Sequence, residues 1–288
     1  MKTRGGAHAA AHVRAARVWA LLVLAVLVLA VLPALPAAAQ GTRLDSLRAS
    51  YALPPVPVER IVGAAAVRIP AASFGSPTAF GARWGDVFAG AGYQHRARRT
   101  RRGDGALTAG FGVGDPAGAV ALEVTATSFS TLNQGFLTNG GLSFKVHRRV
   151  GERTGVALGA ENAVPWGEPD AETSVFVVAS HLLPLRRDPA AAFGGVGVTV
   201  GAGNDRFQRE ARVRADEAGL GLFAALSTRL TSALAATLDW TGQDLNAGLI
   251  YLPEWAPLAL GAGLADLTGS AGDGARFIAG GGVALRWR

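Results

Sequence analysis

From about residue 86 to the C-terminus, apolar residues alternate with small or polar ones at a period of two, in one short segment after another. Alternate side chains of a strand point to opposite faces, so this pattern predicts strands with one greasy face. Reading back from the end, strands are expected at 276–287, 258–267, 244–252, 233–241, 218–230, 192–203, 173–183, 154–163, 140–150, 118–127, 105–113 and 86–95. In the last of these, Phe277, Ala279, Val283, Leu285 and Trp287 share one face, while Gly280, Gly282, Ala284 and Arg286 share the other.

The connections alternate in length. Asp115-Pro116, Gly151 to Arg153, Leu230 to Ser232 and Pro253 to Pro257 are short, whereas 96–104, 128–139, 164–172, 204–217 and 268–275 are longer. Short turns and long loops thus fall mostly on opposite ends, as in transmembrane barrels. Pro184 to Pro189 is moderate on the short side, and Gly242-Gln243 is tight on the long side. The pattern predicts an all-β fold, a single antiparallel up-and-down transmembrane β-barrel of about 12 strands, with 10 and 14 as alternatives. Ile61 to Arg68 and Phe74 to Trp84 would supply the two extra strands of the larger count.

Matching greasy faces suggests registers for three hairpins. Around Gly151, Val146 opposes Leu158, Phe144 opposes Ala160 and Ser143 opposes Glu161. Around Leu230 to Ser232, Leu222, Ala224, Leu226 and Thr228 oppose Trp240, Leu238, Ala236 and Leu234. Around Asp115-Pro116, Phe111 opposes Val120 and Leu107 opposes Val124, with Thr108 beside Glu123.

The N-terminus differs. Residues 1 to 17 carry Lys2, Arg4, Arg14 and Arg17 and no acid, Val18 to Leu32 is apolar throughout, and Ala37-Ala38-Ala39 precedes Gln40. This is the layout of a secretory signal cleaved after residue 39, and 15 apolar residues fall short of the roughly 20 a spanning helix needs. Residues 40–85, with Pro54-Pro55 and Pro57, form an extended N-terminal segment, either additional strands or a plug, and 86–288 the barrel. Losing the four basic residues of the leader takes the net charge from +7 to +3, which argues against a nucleic-acid partner. The chain has no Cys, which excludes disulfides, thiol catalysis and thiolate-bound metal. Its 39 glycines sit inside the alternating segments.

The ending Gly282-x-x-Leu285-x-Trp287 resembles the C-terminal signal of bacterial outer-membrane β-barrels, although Arg288 follows the aromatic and no polar residue stands near Gly280. That resemblance implies the barrel-assembly machinery as a partner and the outer membrane, with its lipid and lipopolysaccharide, as the location. The run from Asp239 to Pro253 is similar to a hairpin of exopolysaccharide-associated YjbH-like barrels. The wider resemblance is to porin-like proteins.

The inner face is mostly Gly, Ala, Ser and Thr, with charges or polar groups at Glu123, Lys145, His147, Arg149, Glu161, Arg229, Asp239, Asn246 and Arg286. A soluble barrel would pack that face with bulky residues, so the inversion points to a lipid exterior and a polar or loop-filled lumen. Glu123 and Lys145 are expected to pair, bracing the wall or, in an open lumen, forming a weak ion filter. Arg96, Arg98, Arg99, Arg101 and Arg102 fall in an outer loop whose guanidinium groups suit lipopolysaccharide phosphates. Trp84, Trp166, Trp240, Trp255, Trp287, Tyr93 and Tyr251 lie near strand ends, as interfacial girdles do. Past the leader only His95, His147 and His181 are available as bases. Ser180 points away from His181, and no metal-ligand spacing or phosphate loop occurs, so neither catalysis nor a cofactor is expected. The functional expectation is a passive pore for small solutes or glycan-related export. The alternative is a non-conducting structural or adhesive barrel blocked by residues 40–85 or by the loop Asn204 to Glu217.

Overall fold

The computed structural model describes residues 72–96, 102–129, 131–133, 135–167, 173–188, 191–215, 217–270 and 274–287. Twelve antiparallel strands close into one barrel in simple sequence order. They are β1 Asp86–Gln94, β2 Asp104–Gly114, β3 Ala121–Phe129, β4 Asn139–Arg149, β5 Thr154–Trp166, β6 Ser174–Pro184, β7 Gly195–Gly203, β8 Gly221–Arg229, β9 Leu234–Trp240, β10 Leu245–Tyr251, β11 Leu258–Ala265 and β12 Arg276–Arg286. Closure joins β1 to β12, with Asp86 opposite Arg286 and Gly90 opposite Gly282. At this seam Arg286 Nε and Nη2 donate to Asp86 Oδ1 and Oδ2 at 2.6 and 2.8 Å. The Asp86 carboxylate also accepts from the Arg83 N–H. Ring closure removes every exposed sheet edge.

The alternation places Leu107, Phe111, Val177, Val200, Leu222, Leu226, Leu238, Leu249, Leu260, Leu264, Phe277, Val283 and Leu285 outward and exposed. Trp84, Trp255 and Trp287 stand exposed at the short-turn end. Facing inward are mostly small residues, with bulky exceptions to the expected inversion that include Phe88, Phe129, Ile250 and Ile278. Phe176 on β6, Phe223 on β8 and Val178 on β6 are bulky, inward and buried. They form an internal apolar cluster with Ala79, Ala157 and Phe207.

The registers show where face-matching stops being informative. The β4–β5 hairpin pairs Val146 with Leu158 and Phe144 with Ala160, as expected, but Ser143 does not oppose Glu161 because the register shifts between Leu142 and Phe144. Asn162 takes φ +52° there, and its N–H is held by Ser143 Oγ, a bulge that absorbs extra residues of β5. In β8–β9 Leu226 faces Leu238, not Ala236, a slip of two. In β2–β3 Phe111 faces Val124, not Val120, and Thr108 faces Thr127, a slip of four. Even slips keep every side chain on its face, so apolar patterning cannot distinguish them.

Phe74 to Trp84 adds no strand to the wall. It lies inside the barrel, and Ile61 to Arg68 lies outside the described residues. Short turns and long connections fall mostly on opposite ends, as expected, but the β6–β7 connection at the short-turn end, residues 185–194, is as long as the β11–β12 loop. The tight link between β9 and β10 has a reason. The long β7–β8 connection, with a 3₁₀ turn at Asp205–Phe207 and a helix α1 at Glu210–Arg214, folds back against it. The Phe207 carbonyl abuts Gly242, which holds φ +99°.

The glycines are matched to what faces them. A Cβ on Gly201 would overlap the Phe223 ring, one on Gly159 the Phe176 ring, and one on Gly110 the Phe88 ring. A Cβ on Gly92 would meet nothing within 4 Å. Gly201→Val is therefore expected to cost about 1–3 kcal/mol through overpacking, while Gly92→Val stays near the parent. Urea denaturation of the folded barrel in detergent checks both, and equal losses would contradict the assignment.

Candidate functional site

The wall residues of a ring this wide leave a hollow, and residues 72–84 occupy it. The segment starts at mid-height, where Thr237 Oγ1 donates to the Ala72 carbonyl at 2.9 Å. It rises to Asp239 near the long-loop end of β9, bends over Phe74 to Ser76, and descends to the short-turn rim. There the Trp84 N–H reaches the Gly114 carbonyl at 2.8 Å.

Asp239 is the upper anchor and has no exposed surface. Its Oδ2 accepts from Ser73 Oγ at 2.9 Å, Phe74 N at 3.1 Å, Gly75 N at 2.6 Å and Ser76 N at 3.2 Å. Its Oδ1 accepts from Ser76 Oγ. A buried carboxylate is tolerated only where donors replace its water, and here the donors are the backbone bend itself. Gly75 fits because a Cβ there would press on Thr241 and Asn246.

Glu123, Lys145 and His147 form the lower anchor. Glu123 and Lys145 face each other directly across β3 and β4 and pair at 3.0 Å. They also grip the segment. Glu123 Oε2 accepts from Ala82 N at 2.7 Å, Lys145 Nζ donates to Phe80 O at 3.0 Å, and His147 Nε2 bonds Ala82 O at 2.9 Å. These side chains complete the hydrogen bonds that a neighbouring strand would otherwise supply. Between the anchors, Ala79 N donates to Ser180 Oγ at 3.0 Å, and Ser180 bonds Thr199 at 2.8 Å.

Glu161 binds the long connection instead of the segment directly. Arg206 Nη2 donates to Glu161 Oε1 at 2.6 Å, its Nε to Oε2, and its Nη1 to Gly75 O at 3.0 Å. The same guanidinium lies 4.2 Å over the Phe207 ring. Phe207 in turn packs on Phe223 with ring centroids 4.6 Å apart and edge-on to Phe176 at 5.8 Å.

The wall glycines complete the fit. Phe74 lies against Gly248 and Gly261, Phe80 against Gly155, and the Ala82–Arg83 backbone against Gly112, each where a Cβ would intrude.

Other expected lumen charges fall elsewhere. Arg149 is exposed at the rim and donates to Glu152 O at 2.7 Å within its own turn. Arg229 is half-buried on the inner face opposite Ala235, and Arg286 is committed to the closure seam. Asn246 is buried beside the segment, with its Oδ1 accepting from Asp266 N. In the basic loop, Arg96 donates to the Gly274 and Ala275 carbonyls and Arg102 is exposed. Arg98, Arg99 and Arg101 lie outside the described residues. Gly282 faces inward, while Leu285 and Trp287 are exposed on the outer face. His181 is exposed and bonds Thr154 at 2.7 Å, on the opposite face from buried Ser180.

Sequence reasoning had no signal for Arg206, Ser180 or Ser76, whose roles depend on long-range closure. No protein-family model matches the chain, and no curated protein matches it.

Asp239→Ala is expected to release the bend. Losing hydrogen bonds to a buried charge costs about 3 kcal/mol, or ~100-fold in opening. Amide exchange of Phe74 to Ser76 should accelerate by that factor while exchange in β3 and β4 stays slow. Unchanged exchange in the bend would remove Asp239 as an anchor.

Proposed function

We propose that this protein is a bacterial outer-membrane β-barrel, related in kind to porin-like proteins, whose lumen is closed by its own chain. Exported by the N-terminal leader, it is inserted by the barrel-assembly machinery acting on Gly282, Leu285 and Trp287. The exposed apolar side chains on the outer face of β2 and of β6 to β12 support the membrane reading, because water-facing sheets do not carry so many. Exposed aromatics at the rim support it further. Lipid then covers the outer face, and lipopolysaccharide phosphates meet the basic loop after β1.

The observation that carries the functional reading is the segment 72–84 tied to Asp239, Glu123, Lys145 and His147. In this state the protein is a non-conducting structural or adhesive barrel. No chemistry on a covalent bond is assigned to it.

A second reading is favoured by the nature of the ties. They are polar and reversible, and the wall behind them is lined by small residues. Withdrawal of the segment would leave a pore for small solutes or glycan-related export, with Glu123, Lys145 and Asp239 facing its water. Planar-bilayer recordings of purified protein test the pair. The full mature chain is expected to be silent, and deletion of residues 40–85 is expected to open steady channels. Stable channels from the intact chain would overturn the closed state, and silence of the deletion variant would overturn the pore.

A further inference from the structure

One sector of the lumen stays empty. Between the segment and strands β1, β2, β10, β11 and β12 lies a cavity of about 650 Å³, within the range of sites for small organic ligands. Its deep wall is apolar or small, with Phe74, Ile250, Ile278, Ala259 and the glycines at 280 to 282, and its polar residues, Gln94, Asp104 and Asn139, gather at the long-loop end. A smaller cavity of about 240 Å³ shares Phe74 and Ile278 with it and is bordered by Arg276.

Arg276 is the second observation. Its side chain is 7% exposed and donates Nη2 to Asp244 Oδ2 at 2.5 Å. Its Nε and Nη1 have no partner among the described residues. A buried guanidinium with two unmet donors carries a desolvation cost that an anionic acceptor would relieve. On the inner face of β12 the order is Arg276, Ile278, Gly280, Gly282, a cationic end followed by an apolar and then a bare wall. Six residues of strand span roughly 20 Å.

We propose that the two cavities together form a binding site for a single-chain amphiphile with an anionic head. The carboxylate or phosphate head meets Arg276 near the long-loop end, and the alkyl chain lies along Ile278 and the glycines of β12, beside Phe74. The site goes beyond the closed-barrel reading, since it requires no movement of the segment and no conduction.

Calorimetric titration of decanoate into the full mature protein in lipid nanodiscs, with empty nanodiscs as baseline, tests it. One saturable site per barrel is expected. Methyl decanoate, which lacks the charge, should bind at least tenfold more weakly, and inorganic phosphate, which lacks the chain, should not saturate. Arg276→Gln should lose at least tenfold for decanoate. Because that variant also breaks the Arg276–Asp244 ion pair, Gly92→Leu provides an independent arm: its side chain enters open space and should abolish binding in a barrel that remains folded. Heats equal to those of empty nanodiscs, full-strength binding in Gly92→Leu, or equal affinity for decanoate and its methyl ester would each overturn the proposal.

Discussion

A ring of twelve strands encloses more volume than a wall of Gly, Ala, Ser and Thr can fill. That mismatch is the constraint on which the rest of the molecule depends. Backbone laid into the space must have its own N–H and C=O groups satisfied by the wall. The inward charges answer this need. Asp239 receives a bend of the chain, while Glu123, Lys145 and His147 receive an extended stretch. These four are spent on the inserted segment, which is why they sit at two heights and not in a ring.

The glycines follow from the same constraint. Gly248, Gly261, Gly155 and Gly112 are recesses cut for Phe74, Phe80 and the Ala82–Arg83 backbone. Gly201 and Gly159 are recesses for aromatic rings of neighbouring strands, so bare backbone is covered where a ring is available. Around Gly92 nothing arrives to cover it, and the barrel keeps a cavity.

Strand number, strand bounds and the two faces were legible in the sequence because period-two alternation is local. Hairpin register was legible for β4–β5, slipped by four in β2–β3, where Asp115 to Val120 makes a longer turn, and slipped by two in β8–β9, whose turn Leu230 to Ala233 is as short as that of β4–β5, because even slips leave both faces unchanged. The candidate site was half legible. Glu123, Lys145, His147, Glu161 and Asp239 were recognisable as charges on a face of small residues. Their use was not, since it depends on a segment far away in sequence with its own irregular path. Phe176 and Phe223 broke the inner-face pattern because Phe207, from the long connection, is buried between them. A partner supplied by a loop leaves no periodic trace.

Arg206 touches three things at once: Glu161 on the wall, the Phe207 ring beneath it, and the Gly75 carbonyl of the inserted segment. A contact shared by two separate pieces of chain is a coupling energy, and coupling is reciprocal. Whatever draws the β7–β8 connection away from the wall weakens the hold on the segment by the same factor by which withdrawing the segment loosens the connection. The connection and the segment are thereby tied together at the long-loop end through a single guanidinium.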